Sequence, residues 1–146
     1  MLDRLRALSE ELANPDLLAR VVERLPDAFV IINEAGEIIF FNARAELLFG
    51  YHRSEVLGET VEILMPGSFR EAHMRHRKGF LKEPRGRAMG TGQTLTGKHK
   101  RGDEFGVEIN LEPLQTPDGL FVSAVIRKRE TPKPEAAPDV AVTEKP

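Results

Sequence analysis

Two of the four histidines, His73 and His76, stand three residues apart in the middle of the chain. On a helix that spacing turns both imidazoles to a similar side. An imidazole can ligate a metal, relay a proton or change charge near neutrality. As a metal pair these two lack a nearby carboxylate ligand, and two histidines alone make a weak site. Arg75 and Arg77 flank His76, which predicts a wet, cationic helix face. The same stretch carries Arg70, Lys78, Lys82, Arg85 and Arg87, with Lys98, Lys100 and Arg101 further on. Residues 68–101 hold 10 basic and 2 acidic side chains, whereas residues 1–67 hold 6 basic and 12 acidic, so the overall charge of −2 averages two opposite segments. Such a basic stretch can be a solvated helix face, a contact for an acidic protein surface (a second copy's acidic segment included), or an anion site with Arg85 and Arg87 as its contacts. Nucleic acid ranks last, because no recognition-helix motif or aromatic stacking ladder accompanies the charge.

Little else in the sequence could carry a reaction. With no cysteine, disulfides, thiolate nucleophiles, cysteine-ligated zinc or iron–sulfur and a covalent cysteinyl flavin are excluded. No nucleophile elbow, phosphate-binding loop, metalloprotease motif or paired acid/base motif occurs. Gly86, Gly90, Gly92 and Gly97 lack the strand–loop–helix setting of a phosphate loop. The chain therefore reads as a non-enzyme. No apolar run approaches the roughly 20 residues of a membrane span. The charged start, Met1 to Arg6, has no apolar secretion core, so a cytoplasmic location is expected.

These groups need a scaffold, and its elements follow in order. Leu2, Leu5, Leu8 and Leu12 recur at spacings of three and four, one apolar stripe of a helix. Asn14 caps a second helix with Pro15 in its first turn, ending at Pro26. Residues 28–33 and 37–41 are apolar runs joined across Gly36, a hairpin. Asn42 caps a helix that Gly50 stops. Short turns lead to Met65-Pro66-Gly67, and Ser68 caps a longer helix to about Lys82. Strands follow over Gln93–His99, from Phe105 to about Glu112 and over Leu120–Ile126, separated by the turns Lys100–Asp103 and Thr116–Gly119. Phe105, Val107, Ile109 and Leu111 form the clearest alternation in the chain. From Thr131 a proline-punctuated polar tail is expected to be disordered. The order predicts an α+β fold: an antiparallel sheet with helices on one face.

The run Asn33 to Ala43, then Phe49-Gly50-Tyr51, Glu55-Val56-Leu57-Gly58, Met65-Pro66 and Lys100 to Phe105 together resemble the PAS family, over roughly residues 22–127. The resemblance implies a five-stranded antiparallel sheet in the order 2-1-5-4-3, with short helices enclosing a ligand-sized pocket. The organisation predicted is an N-terminal amphipathic helical extension (1–21), a PAS domain (22–130) and a tail (131–146). The pocket would be lined by Phe29, Ile31, Leu48, Met65, Met74, Phe80, Leu81, Met89, Leu95 and Ile109, unless those side chains simply fill the core. Within the family the sequence is most similar to haem-based oxygen-sensor kinases. On that resemblance the haem-ligating histidine is counted nine residues before Thr96-Gly97-Lys98. The count lands on Arg87, which has no lone pair for iron, and this speaks against haem. A non-covalent flavin or another small apolar ligand stays open, and the cofactor is not identified. The family's closing Asp-Ile-Thr motif is missing after Arg127. Output is therefore expected through Leu2, Leu5, Leu8 and Leu12 as homodimer contacts, or by covering of the domain's own sheet by that helix. The function implied is a stand-alone sensory and interaction module, dimerising and touching a separate signalling protein such as a kinase or regulator. A haem- or flavin-based redox or gas sensor is the alternative.

Overall fold

The computed structural model describes residues 2–12, 14–82, 87–89 and 95–129. Helices α1 (Leu2–Leu12) and α2 (Pro15–Glu23) lead into strands β1 (Ala28–Ile32) and β2 (Ile38–Phe41). Helices α3 (Ala43–Phe49) and α4 (Arg53–Val56), a 3-10 turn (Val61–Leu64) and α5 (Gly67–Lys82) follow. The chain then returns to strands β3 (Arg87–Met89), β4 (Leu95–Lys98), β5 (Glu104–Thr116) and β6 (Gly119–Lys128). All pairings are antiparallel, in the order β2-β1-β6-β5, with β3 and β4 both on the free side of β5. β3 lies against Ile109–Leu111 and β4 against Glu104–Val107, so together they make one edge strand in two pieces. Counted so, the sheet has five strands in the order 2-1-5-4-3.

Three details depart from the alternation in the sequence. The strand expected over Gln93–His99 begins at Leu95, and its other half, β3, carries no alternation long enough to announce it. β5 runs on past Leu111 through Pro113 to Thr116. Beyond Leu111, where its pairing with β3 ends, β5 pairs only with β6 among the described residues. Proline, lacking an N–H, is tolerated at such an edge. β1 is apolar at every position, so its sequence cannot say which parity faces in. Pairing with β6 (Ala28↔Ile126, Val30↔Ala124) turns Ala28 and Val30 inward. Phe29 and Ile31 take the opposite face, where Phe29 meets Phe40 edge-on at 6.1 Å between ring centroids.

The core between sheet and helices is built from Val30, Ile38, Phe41, Ala45, Phe49, Val56, Leu64, Val107 and Ile126. One polar residue sits at its edge with no exposed surface, Asn42. Its Oδ1 accepts from the N–H groups of Phe29 (2.9 Å) and Ala45 (2.9 Å). Its Nδ2 donates to the carbonyls of Val22 (2.9 Å) and Asp27 (3.1 Å). An asparagine amide offers two acceptor and two donor positions, and all four are used. The residue thus caps α3 and also ties the end of α2 and the start of β1 to it. Arg53 makes the second tie, reaching Glu23 of α2 at 2.5 and 2.8 Å and Glu46 of α3 at 3.1 Å. Both carboxyls are held below the ordinary carboxylate value, in each case chiefly by the hydrogen bond from Arg53. α2 is therefore fixed to the core at its C-terminal end. α1 packs mainly on α2 and leaves Leu2, Leu5 and Leu8 in solvent. The side chain of Leu12 and residues 130–146, including the predicted tail, lie outside the described residues.

Candidate functional site

A cavity of about 260 Å³ lies between the inner face of the sheet and the segment formed by the 3-10 turn and α5. Val30, Ile32, Leu64, Val107, Ile109, Val122 and Ala124 line it, together with Met65, Phe69 and Leu95. Its polar side comes from His73, His76 and Arg77 of α5 and Thr96 of β4. The sheet residues arrive by period-two alternation on β1, β5 and β6. The α5 residues arrive because Phe69, His73, His76 and Arg77 recur at spacings of three and four.

Beneath α5 lies Glu62, the one charged side chain among the described residues that is buried, at 4% exposure. Its Oε2 accepts from Nδ1 of His73 at 2.7 Å and from Nε of Arg77 at 2.9 Å; its Oε1 accepts from Nη2 of Arg77 at 3.1 Å. Burial pushes the Glu62 carboxyl up. The hydrogen bonds from Arg77 and His73, and the charge of Arg77, more than reverse this, and it lies below the ordinary carboxylate value. Arg77 is itself 9% exposed. Its guanidinium lies against Gly36 in the β1–β2 turn, where a methyl group would overlap it. Gly36 also holds φ at +84°, a conformation glycine adopts without strain. An ionised carboxylate can only accept, so Nδ1 of a neutral His73 carries the ring proton and Nε2 keeps its lone pair. Nε2 makes no hydrogen bond among the described residues.

Of the residues expected in the pocket, Met65, Leu95 and Ile109 line the cavity. Phe29 and Ile31 do not, because β1 has the opposite parity. Leu48 does not, because α3 buries Ala45 and Phe49 and turns Leu48 toward a separate groove beside Pro26 and Ile126. Met74 is on the solvent side of α5, 42% exposed. The side chains of Phe80, Leu81, Met89 and Arg87, and all of Arg85, lie outside the described residues. The basic stretch is not one uniform face. Arg77, expected in solvent, is sealed against Glu62; Arg70 donates to the Met65 carbonyl; Lys100 pairs with Glu55. Glu62 and Arg77 are the residues that motif reading missed. A carboxylate between apolar Val61 and Ile63 needs a cation if buried. His73 and Arg77, four apart, share a helix face that can supply one; pairing His73 with His76 instead concealed it.

The sequence matches the PAS fold family over residues 16–129. The chain belongs to the PAS family, whose members are sensory modules of signal transduction. It is 28% identical over 110 residues to Sensor protein FixL of Bradyrhizobium diazoefficiens, covering 75% of this chain and 22% of that one. It is 31% identical over 98 residues to Oxygen sensor protein DosP of Escherichia coli, covering 67% of this chain and 12% of that one. The chain thus spans less than a quarter of either relative. Among solved structures, the PAS domain of an HTR-like protein from Haloarcula marismortui superposes with a TM-score of 0.68 at 22% identity, over 88% of this chain and 100% of that one. The PAS domain of a protein from Colwellia psychrerythraea gives 0.67 at 19% identity, over 78% and 95%. No described helix is long and apolar enough to cross a membrane.

Proposed function

We propose that this chain is a non-catalytic, cytoplasmic sensory domain whose stimulus is read by an iron porphyrin held in the cavity through Nε2 of His73. The observation that carries this reading is the 2.7 Å contact of His73 Nδ1 with Glu62. A metal-ligating imidazole is held by a carboxylate or carbonyl on its other nitrogen, which sets both tautomer and ring direction. Here that arrangement stands at an otherwise apolar cavity. Arg87 then loses its weight against haem: it belongs to edge strand β3, and a histidine stands on the cavity wall without it. The name of one matched relative, an oxygen sensor, is in keeping with this chemistry. Bound there, the iron would supply reversible ligation of a diatomic gas, which needs a cofactor.

The chain's own residues do the remaining work. His73 holds the group, and Val30, Ile32, Val107 and Ile109 exclude water. At about 260 Å³ the cavity lies below the usual range for ligand sites, roughly 300–1,000 Å³. A porphyrin is wider than this volume, so holding one would require α5 to give way from the sheet. Titrating the apoprotein with haemin should give a Soret band with a 1:1 endpoint. His73→Ala should weaken binding at least about tenfold, the loss of one coordinate bond, while His76→Ala should not. A protein-only spectrum after reconstitution, or a band indifferent to His73→Ala, refutes the reading.

A second observation supports a role in protein contact. Leu2, Leu5 and Leu8 are 73%, 54% and 48% exposed on α1, with Leu18 and Val21 exposed on α2. We infer that this stripe pairs with that of a second copy, and that the dimer touches a kinase or regulator. Leu5→Glu with Leu8→Glu should halve the mass seen by light scattering. A monomeric unmodified protein, or an unchanged dimer in the variant, rules it out.

A further inference from the structure

We propose that Arg77 is the catch of a lid: α5 closes one wall of the cavity, and it opens when the Arg77 guanidinium leaves its seat between Glu62 and Gly36. The inference needs the cavity and not the cofactor reading above.

Phe69, Ala72, His73, His76 and Arg77 put one face of α5 on the cavity. The helix starts at Gly67, directly after Pro66, and a side chain at Gly67 would meet open space, so this end can act as a pivot. Arg70 holds the first turns through the Met65 carbonyl at 3.1 Å, still within the segment that leads into the helix. Arg77 lies two turns further on and reaches two other elements. It donates to Glu62 of the 3-10 turn at 2.9 and 3.1 Å, and its guanidinium lies over Gly36 of the β1–β2 turn. These two supports are themselves joined, since the Val61 N–H donates to the Gly36 carbonyl at 2.9 Å. The β1–β2 turn is also tied to the sheet, because Glu34 accepts from the Leu120 N–H at 2.9 Å. The seat is therefore anchored, and α5 is the part that moves. With its side chain 9% exposed, Arg77 fills the seat. Opening takes the guanidinium off a buried carboxylate, which is costly until water enters beside α5 and solvates both. The lid therefore rests closed.

Two glycines separate the catch from backbone strain. Gly36 and Gly58 hold φ at +84° and +88°, so alanine is strained at both. At Gly36 the new methyl group also overlaps the guanidinium, whereas at Gly58 it meets nothing. In native-state hydrogen exchange of the full chain without haemin, Gly36→Ala should speed amides 72–78 at least about tenfold more than Gly58→Ala does. The amides of β5 and β6 should respond alike to both. Arg77→Gln should give a similar local acceleration. Adding Gly36→Ala to it should add no more than Gly58→Ala adds, since the methyl group then displaces nothing. Benzene, which enters apolar cavities of this kind, should reach the cavity faster by the same factor as amides 72–78, because both processes pass through the open lid. Equal effects of the two alanines, additive effects of Gly36→Ala and Arg77→Gln, an acceleration shared by β5 and β6, or benzene entry indifferent to Arg77→Gln would each overturn the proposal. A protein that takes up no haemin yet shows these accelerations loses the cofactor reading and keeps this one. Haemin uptake with none of them does the reverse.

Discussion

Asn42 and Glu62 are both sealed inside the domain, and they differ in what their hydrogen bonds leave over. Asn42 has four positions and uses four, all on backbone groups of α2, the loop before β1, β1 and α3. It is neutral, so its burial has no charge to offset. Glu62 carries a charge, which burial disfavours, and needs two cation-capable side chains of α5 to stay ionised. The His73 it holds retains a lone pair unused among the described residues, beside a cavity. Complete satisfaction belongs to a joint that must not move; a residual valence belongs to a place that can accept something.

The largest test of that contrast is Asn42→Ala. It strands the N–H groups of Phe29 and Ala45 and the Asp27 carbonyl, and leaves the Val22 carbonyl with its backbone bond from Leu25 alone. At roughly 1 kcal/mol per lost hydrogen bond, more where a group stays buried, the loss should be about 3–4 kcal/mol by chemical denaturation. A loss under about 1 kcal/mol would mean that water replaces the side chain and the joint is not sealed. Glu62→Gln comes next. The amide keeps the volume and one acceptor, but Arg77 is left with a partial partner. Breaking a fully buried pair costs about 3–5 kcal/mol, and the lesser change here should cost about 2–3. His73→Ala should cost under about 1 kcal/mol, the scale of one part-exposed hydrogen bond, while weakening haemin binding as stated above. If it destabilises as much as Asn42→Ala, the histidine is structural and the contrast collapses.

The smallest effect concerns pH. Hydrogen bonds from Arg53 hold the folded-state carboxyls of Glu23 and Glu46 below their ordinary 4.5. A depressed folded value means that the unfolded chain takes up protons first. The stability from these two is full above that ordinary value and is lost as pH falls through the depressed ones. Arg53→Gln should flatten this part of the acid limb and leave the neutral-pH haemin titration unchanged. An acid limb identical to that of the unmodified protein would show that α2 is held by Asn42 alone.

Much of the scaffold was legible because its signals are local. Asn14 and Asn42 announce helix starts by bonds that reach two or three residues, and Gly36 and Gly50 mark turns by their own φ. The alternation from Phe105 to Leu111 marks β5 because one face is core and the other is not. Legibility stopped where a residue's role depends on a distant partner. Phe29 and Ile31 were expected in the pocket because β1 is apolar throughout, and only pairing with β6 chose the parity. Met74 was expected there for being apolar, but α5 presents His73 and Arg77 to the interior instead. Ile109 was found because its neighbours Glu108 and Asn110 are polar and mark the outward parity.

The chain alone determined the order of its elements, their caps and turns, and the absence of thiol chemistry, since each depends on residue type and near neighbours. The tertiary structure decided which histidine meets a carboxylate beside a cavity and which arginine is held against that carboxylate. It also made a carboxylate in a short apolar turn the hinge of the site. Those outcomes hang on the desolvation of Glu62. A charge taken from water must find its partners wherever the fold brings them, and the fold brought His73 and Arg77 from 11 and 15 residues away.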